Sequence, residues 1–319
     1  MLIGMSIGIP LLLFGLVSWH GYRETLNQAE KSAARTALTL REHAAKVFET
    51  DRLVLARIED RLGDMSWKEI SDRRDDIHLF LRKLADAAPQ ISNILLIDPD
   101  GIPQVQALIR EQTEKLDLSD RDYFERHRRG DVGIFVEKLL VGRSTGSLVF
   151  GVSKRRLGRD AGANPGPGSG RDPGRNNEAG EVFNGIIFIG MRQSYFTEFW
   201  SSLMASENGT AALVRSDGEI LAQYPPLEQP SRLPSGTPVL DAIRLGQETG
   251  VFREAFKEGS VRQVTGFSKV EGLPVYVVYG SDYPTVLRGW WWNVAAYGTL
   301  AALAALALSC VSWIAARRW

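Results

Sequence analysis

Cysteine is nearly missing from this chain: Cys310 is the one thiol in 319 residues. It lies inside an apolar run, so the polar middle of the chain has no disulfide and must be held by its core alone. A surplus of either charge is missing too, with 38 basic and 38 acidic side chains. Without a basic excess to neutralise phosphates, the chain does not read as a nucleic-acid binder. The four histidines, His20, His43, His78 and His127, are scattered with no two at ligand spacing. A metal site is therefore not expected, and no cofactor is expected either. Gly142-Arg143-Ser144-Thr145-Gly146 spells G-x-S-x-G, but it separates two strand runs and is not the strand-to-helix turn of a nucleophile elbow, and no zinc signature occurs. A membrane-bound hydrolase built from Ser144, His127 and the aspartates is accordingly disfavoured, since no site for it is visible.

Charge is wholly missing from two stretches, Met1–Trp19 ("MLIGMSIGIPLLLFGLVSW") and Gly289–Ala316 ("GWWWNVAAYGTLAALAALALSCVSWIAA"). Each approaches or exceeds the roughly 20 apolar residues that cross a bilayer core. The first lacks the basic flank and the small-residue cleavage site of a signal peptide, so an uncleaved anchor is expected, and Pro10 is tolerated in a membrane helix. The second is flanked by Trp290, Trp291 and Trp292 at one edge and by Trp313 and Trp319 near the other, an aromatic belt. Arg317 and Arg318 follow it, so the C-terminal end is expected on the cytoplasmic side. Two spans then place both termini inside and residues from about 20 to 289 outside. Roughly 270 residues between the runs suffice for two domains of about 100–150 each.

Residues 22 to about 64 read as one long helix. Ala33, Ala37, Leu40, Ala44, Val47, Val54, Ile58 and Leu62 recur at alternating spacings of three and four, interrupted by Asp51. Such a seam suits a helix packed on its own domain and also a dimer stalk leaving the membrane, and both contacts are expected. A second helix is predicted from Trp67 to Ala88. Strand signals follow: "ISNILLIDPDGIPQVQALI" is two β-runs around the turn Asp98-Pro99-Asp100-Gly101. "GIFVEKLLVG", "GSLVFGVSKRRL" and "EVFNGIIFIGM" continue the sheet, and "QSYFTEFWSSL" is a helix leading out. Between them, residues 158–180 are rich in Gly, Pro, Arg and Asn and read as a flexible insertion. "GTAALVRSDGEILAQYP" opens a smaller second unit with Asp217-Gly218 at its turn, a short helix "TPVLDAIRLG", and three more strands. Five strands with a helix inserted after the second make an antiparallel α+β unit, presented twice.

The segments "LLIDPDG", "SDRDYFERHRRGDVGIF", "GRSTGSLVFGVSKRRL", "FNGIIFIGM" and "ALVRSDGEILAQYP" resemble those of double Cache (PDC, PAS-like) extracytoplasmic sensors. These sensors precede histidine kinase and diguanylate cyclase outputs in bacterial receptors. The resemblance implies a long stalk helix and two PAS-like antiparallel units between two transmembrane helices. The implied boundaries are a first span at 1–20, stalk and packing helices at 21–88, a membrane-distal unit at 89–200, a proximal unit at 201–283 and a second span at 289–316. It implies a homodimer in the inner membrane whose distal unit holds a small ligand and whose proximal unit relays the change. Receptors of this type continue into an output domain. No histidine-kinase phosphoacceptor, GGDEF-like stretch or P-loop occurs before Trp319, so no catalytic domain is expected here and the output belongs to a longer receptor or to a partner.

The stretch Ser119–Phe135 admits two readings. Ser119 and Asp122 fit a capping box, with acids early and bases late along the helix dipole, and with Tyr123 and Phe124 as core. In the resembling family an Arg-x-Tyr-Phe pattern lines the distal pocket, and Arg121 and Tyr123 match it. A guanidinium offers a planar fork to a carboxylate, and a phenol adds a directional donor. Arg143, Ser147, Ser153 and Lys154 are further candidates for the ligand's anionic side. Strand alternation places Ser147, Val149 and Gly151 on one face and Leu148, Phe150 and Val152 on the other. Arg126, Arg128 and Arg129 are expected in solvent. The expected ligand is an organic anion or amino acid, whose amine would need Asp98, Asp122 or Glu137. The rival expectation is an anchored structural or partner-binding protein with no small ligand.

Overall fold

Small side chains along one helix decide how the parts meet. In the computed structural model, which describes residues 2–110, 116–143, 146–158, 182–204, 209–226, 229–255 and 262–317, helix α1 runs unbroken from Leu2 to Leu62. Ser144, most of the Gly/Pro-rich insertion, Arg318 and Trp319 lie outside the described residues. All eight seam residues from Ala33 to Leu62 are buried. They pack against the chain's own sheets, each large one contributing about 1.5–3 kcal/mol. The alanines let the sheet come close: a Cβ added at Gly266 would lie 2.6 Å from the Ala33 carbonyl oxygen.

The helix expected over 67–88 is two. Helix α2 (Trp67–Asp72) is started by a capping box in which Ser66 and Glu69 bond reciprocally. The path breaks at Arg73 (φ −105°, ψ 23°), and α3 (Arg74–Ala87) begins with Asp75 and Asp76 in its first turn. Weak helix formers at Ser71 and Asp72, followed by acids that favour a new N-terminus, account for the break.

The first unit is a sheet of β1 (Ile91–Ile97), β2 (Pro103–Gln106), β3 (Ile134–Val141), β4 (Leu148–Gly158) and β5 (Val182–Arg192), in the order β2-β1-β5-β4-β3. Helix α4 (Asp122–Arg129) is inserted between β2 and β3, and α5 (Gln193–Met204) follows β5. The second unit comprises β6 (Gly209–Arg215), β7 (Glu219–Tyr224), β8 (Ser231–Arg232), α6 (Pro238–Arg244), β9 (Thr249–Ala255), β10 (Arg262–Val270) and β11 (Val275–Asp282). Its order is β8-β7-β6-β11-β10-β9, the first unit's pattern with one added edge strand. All strand pairs are antiparallel.

Register sorts the first sheet into two faces. Asn93 pairs with Gly190, Gly190 with Gly151, and Gly151 with Glu137, so these four form one row across the sheet. Leu95, Phe188, Ser153 and Phe135 form the next row on the same face, which α4 covers. Phe150, Val152, Ile187 and Ile189 point the other way, into the core shared with α1. Between the units, Arg215 on β6 donates to the Val136 carbonyl at 3.1 Å and pairs with Asp217.

Helix α7 (Tyr283–Arg317) leaves β11 directly. Among the described residues one helix is long and apolar enough to cross a membrane, Tyr283–Ile314, with a mean hydropathy of 2.0. It lies beside the start of α1. Trp290 Nε1 donates to the Ser18 carbonyl at 3.0 Å, and the rings of Tyr22 and Trp290 meet edge to face at 5.3 Å. Ile9, Leu12 and Trp19 of α1 are exposed beside it, as are Trp292 and Leu300 of α7.

Candidate functional site

The α4-covered face of the first sheet holds a cavity of about 50 Å³. Its floor comes from the strands: Asn93 and Leu95 of β1, Phe188 and Gly190 of β5, and Val149 of β4. The glycines set its shape. A Cβ at Gly151 would lie 2.2 Å from the Phe188 ring, and one at Gly190 would lie 2.8 Å from Ser92 Oγ. Phe188 therefore lies across a row cleared of side chains, with the Tyr123 ring 4.7 Å from it. Leu116, Leu118 and Leu140 close the sides, and Arg121, Tyr123 and Arg143 bring the polar groups.

Helix α4 positions Arg121 and Tyr123. Arg121 is its N-cap (φ −76°, ψ 141°) and makes no side-chain capping bond. The cap comes from β3. Glu137 Oε2 accepts the Tyr123 N–H at 3.0 Å, and Oε1 accepts the Lys138 N–H at 2.8 Å. Burial raises the Glu137 carboxyl above the usual carboxylate range, and these two bonds oppose the shift. The Ser119–Asp122 capping box does not form. The Ser119 N–H donates instead to Asp117 Oδ1 at 2.8 Å, and Asp122 pairs with Arg126 at 3.1 Å. Burial pushes the Tyr123 phenol upward, so it stays protonated and able to donate.

The two pocket arginines differ. Arg143 forms a bidentate pair with Asp120 at 2.9 and 2.7 Å and also reaches the Asp117 carbonyl, so its fork is committed to the 117–120 loop. That pairing holds the Asp120 carboxyl below its ordinary range. Among the described residues, the half-buried Arg121 guanidinium makes no hydrogen bond or ion pair. The buried amide of Asn93 is used within the fold. Its Oδ1 accepts from Ile94 and Leu108, and its Nδ2 donates to Gln106.

No family model and no curated protein matches the sequence. Solved structures match the fold. The extracellular domain of a putative histidine kinase aligns at TM-score 0.65 and 23% identity, over 83% of this chain and 99% of that one. The periplasmic sensory domain of the Campylobacter jejuni chemoreceptor Tlp1 aligns at 0.59 and 11%, over 83% and 98%. The ligand-binding domain of the Pseudomonas aeruginosa PAO1 amino-acid chemoreceptor PctC, solved with GABA, aligns at 0.53 and 17%, over 79% and 99%. The fold is that of a double Cache sensor. The double Cache fold accounts for the described elements from α1 through β11.

Within the double Cache frame, the structure brings Arg121, Tyr123 and Arg143 together and places three other candidates elsewhere. Lys154 pairs with Glu59 of α1 at 2.7 Å, because even-numbered residues of β4 face α1 rather than α4. Asp122 points along the outside of its helix to Arg126. Ser147 closes the β3–β4 hairpin, its carbonyl accepting the Gly142 N–H at 2.9 Å, and does not line the cavity. Ser153 is buried beneath α4, its Oγ 3.0 Å from His127 Nε2, and burial lowers the His127 pKa to about 4. Arg126, Arg128 and Arg129 lie in solvent, paired with Asp122 and Glu125. Sequence reasoning missed Asn93, Phe188 and Gly190 as lining residues. Their shared row follows from cross-strand register, which local patterning does not supply.

Proposed function

We propose that this chain is a membrane-anchored extracytoplasmic sensor that binds a small organic anion in the cavity of its first unit. The observation that carries this reading is the Arg121 guanidinium, held at the cavity by a helix start capped from β3 and left without a partner among the described residues. A carboxylate bound there would accept a fork of charge-assisted bonds, and the Tyr123 phenol would add another. Structures of similar fold support the ligand class. One is PctC solved with GABA, and another is the Pseudomonas fluorescens chemoreceptor CtaA solved with L-isoleucine, which aligns at TM-score 0.52 and 12% identity.

The proposed architecture has two membrane crossings, α7 and the start of α1, with both termini cytoplasmic and the two units in the periplasm. A homodimer would pass the signal to a cytoplasmic output, a histidine kinase or a diguanylate cyclase. Ligand closes β4, the Arg143 loop and α4 around itself. The shift passes through Glu137 and Val136 of β3 to Arg215 of the second unit, and through the shared core to α1. A ligand biases such a two-state equilibrium only by its differential affinity for the states.

The cavity's small volume favours one rival, an anchored partner-binding protein with no small ligand. Thermal unfolding of the full chain across a metabolite library separates them. A sensor gains stability with its ligand, as mass action requires, and the rival gains none. Protease added to intact spheroplasts should cut between about residues 20 and 283, and protection of that region would overturn the topology.

A further inference from the structure

Among the described residues, the acids that could hold an amine in the first unit, Asp98, Glu137, Asp122 and Asp120, are already committed. Asp98 accepts from the Asp100 and Ile102 N–H groups at 3.0 and 2.9 Å and from Gln104 at 2.6 Å, fixing the β1–β2 turn. Glu137 spends both oxygens on backbone N–H groups. Asp122 faces solvent with Arg126, and Asp120 holds Arg143. Among the described residues, no carboxylate lines the cavity. Its charged groups are two guanidiniums, and most of the remaining surface is Leu, Val and Phe.

From this we infer that the cavity selects a short aliphatic carboxylate lacking an amino group, and rejects the amino acid of the same carbon skeleton. The inference rests on the proposed anion site and adds its ligand class. Arg121 supplies the carboxylate fork, and Leu95, Leu140 and Val149 meet the alkyl part. An ammonium would lose its water, find no carboxylate among the described lining residues, and sit near two guanidiniums. The side-chain carbonyl of Asn93, the other strong acceptor on the floor, already takes two N–H groups. The cavity's small volume, about 50 Å³, sets the scale at a few carbons.

The test uses the full chain in lipid nanodiscs with matched pairs of probes: propionate against alanine, and isovalerate against valine, titrated by calorimetry. The expected result is that each acid binds at least tenfold more tightly than its amino acid, and that Arg121→Ala and Arg121→Gln each weaken that binding by at least tenfold. If alanine or valine binds as tightly as its partner, and the binding is lost in both Arg121 variants, the ligand class is wrong and the site stands. If none of the four probes binds, or binding survives both Arg121 variants at unchanged melting temperature, the ligand class and the site both fall.

Discussion

The Glu137 carboxylate on β3 caps the start of α4 by accepting the Tyr123 N–H at 3.0 Å, across 14 positions of sequence. A tertiary contact thus does what a local serine or aspartate does at most helix starts. It ties the helix that carries Arg121 to the strand that reaches the second unit. Glu137→Ala leaves the buried Tyr123 N–H and the part-buried Lys138 N–H without acceptors and should cost about 1–3 kcal/mol of stability. Glu137→Gln, which keeps an acceptor oxygen, should lose less. Chemical denaturation of both variants checks the order, and an Ala variant as stable as the parent would remove the cap from the account.

Arg121 makes no bond within the described structure, so its removal should be nearly silent in the absence of ligand. Arg121→Ala should change unfolding free energy by no more than about 0.5 kcal/mol. The same change should weaken ligand binding by about 10- to 100-fold, the worth of a charged hydrogen-bonding partner. Paired melting and binding curves on one preparation read both numbers.

Asp51 is fully buried in α1, and neither carboxylate oxygen has a hydrogen-bond partner among the described residues. Burial raises its pKa to about 7, and the nearby Gln90 amide opposes this without reaching hydrogen-bond geometry. The folded state thus holds a proton that the unfolded state releases near 3.8. Asp51 contributes its full stability below that lower value, and the contribution is lost as pH rises towards about 7. Asp51→Asn should therefore gain on the parent across that window, by on the order of 4 kcal/mol at the plateau. Melting temperatures from pH 4 to 8 test it, and parallel curves for the two proteins would contradict it.

Gly266 lets β10 lie against the backbone of α1, where an added Cβ would meet the Ala33 carbonyl oxygen at 2.6 Å. Gly266→Ala should destabilise the chain by about 1–3 kcal/mol, because rigid backbone on both sides must shift. Gly130→Ala is the control. Its φ of 178° is ordinary extended backbone, and nothing lies within 4 Å of the added carbon. Equal melting temperatures for the two variants would show that the α1 contact is not tight.

Local chemistry made much of this legible in the sequence. The α1 seam followed from its spacing, and the Asp98–Gly101 and Asp217–Gly218 turns followed from their residue types. The two faces of β4 followed from parity, with Val149 on the cavity side and Phe150 in the α1 core. Parity does not say which face bears a site, and Lys154 was misplaced for that reason. Ser66-Trp67-Lys68-Glu69 carries the capping-box pattern in plain order, whereas the Ser119 pattern does not cap. The Glu137 cap and the Asn93–Gly190–Gly151 row depend on strands brought together from distant parts of the chain, and no local pattern encodes them.

Helix α1, with 61 residues, extends about 90 Å at 1.5 Å per residue. Both sheets grip it, and α7 meets it near Ser18 and Tyr22. A jointless rod held at several points shares one azimuth along its length. One residue inserted between Tyr22 and Ala33 would turn one end by about 100° against the other. The number of residues between the α7 contact and the second sheet therefore acts as an angular setting, and length changes there should matter by their remainder against the helical turn more than by their size.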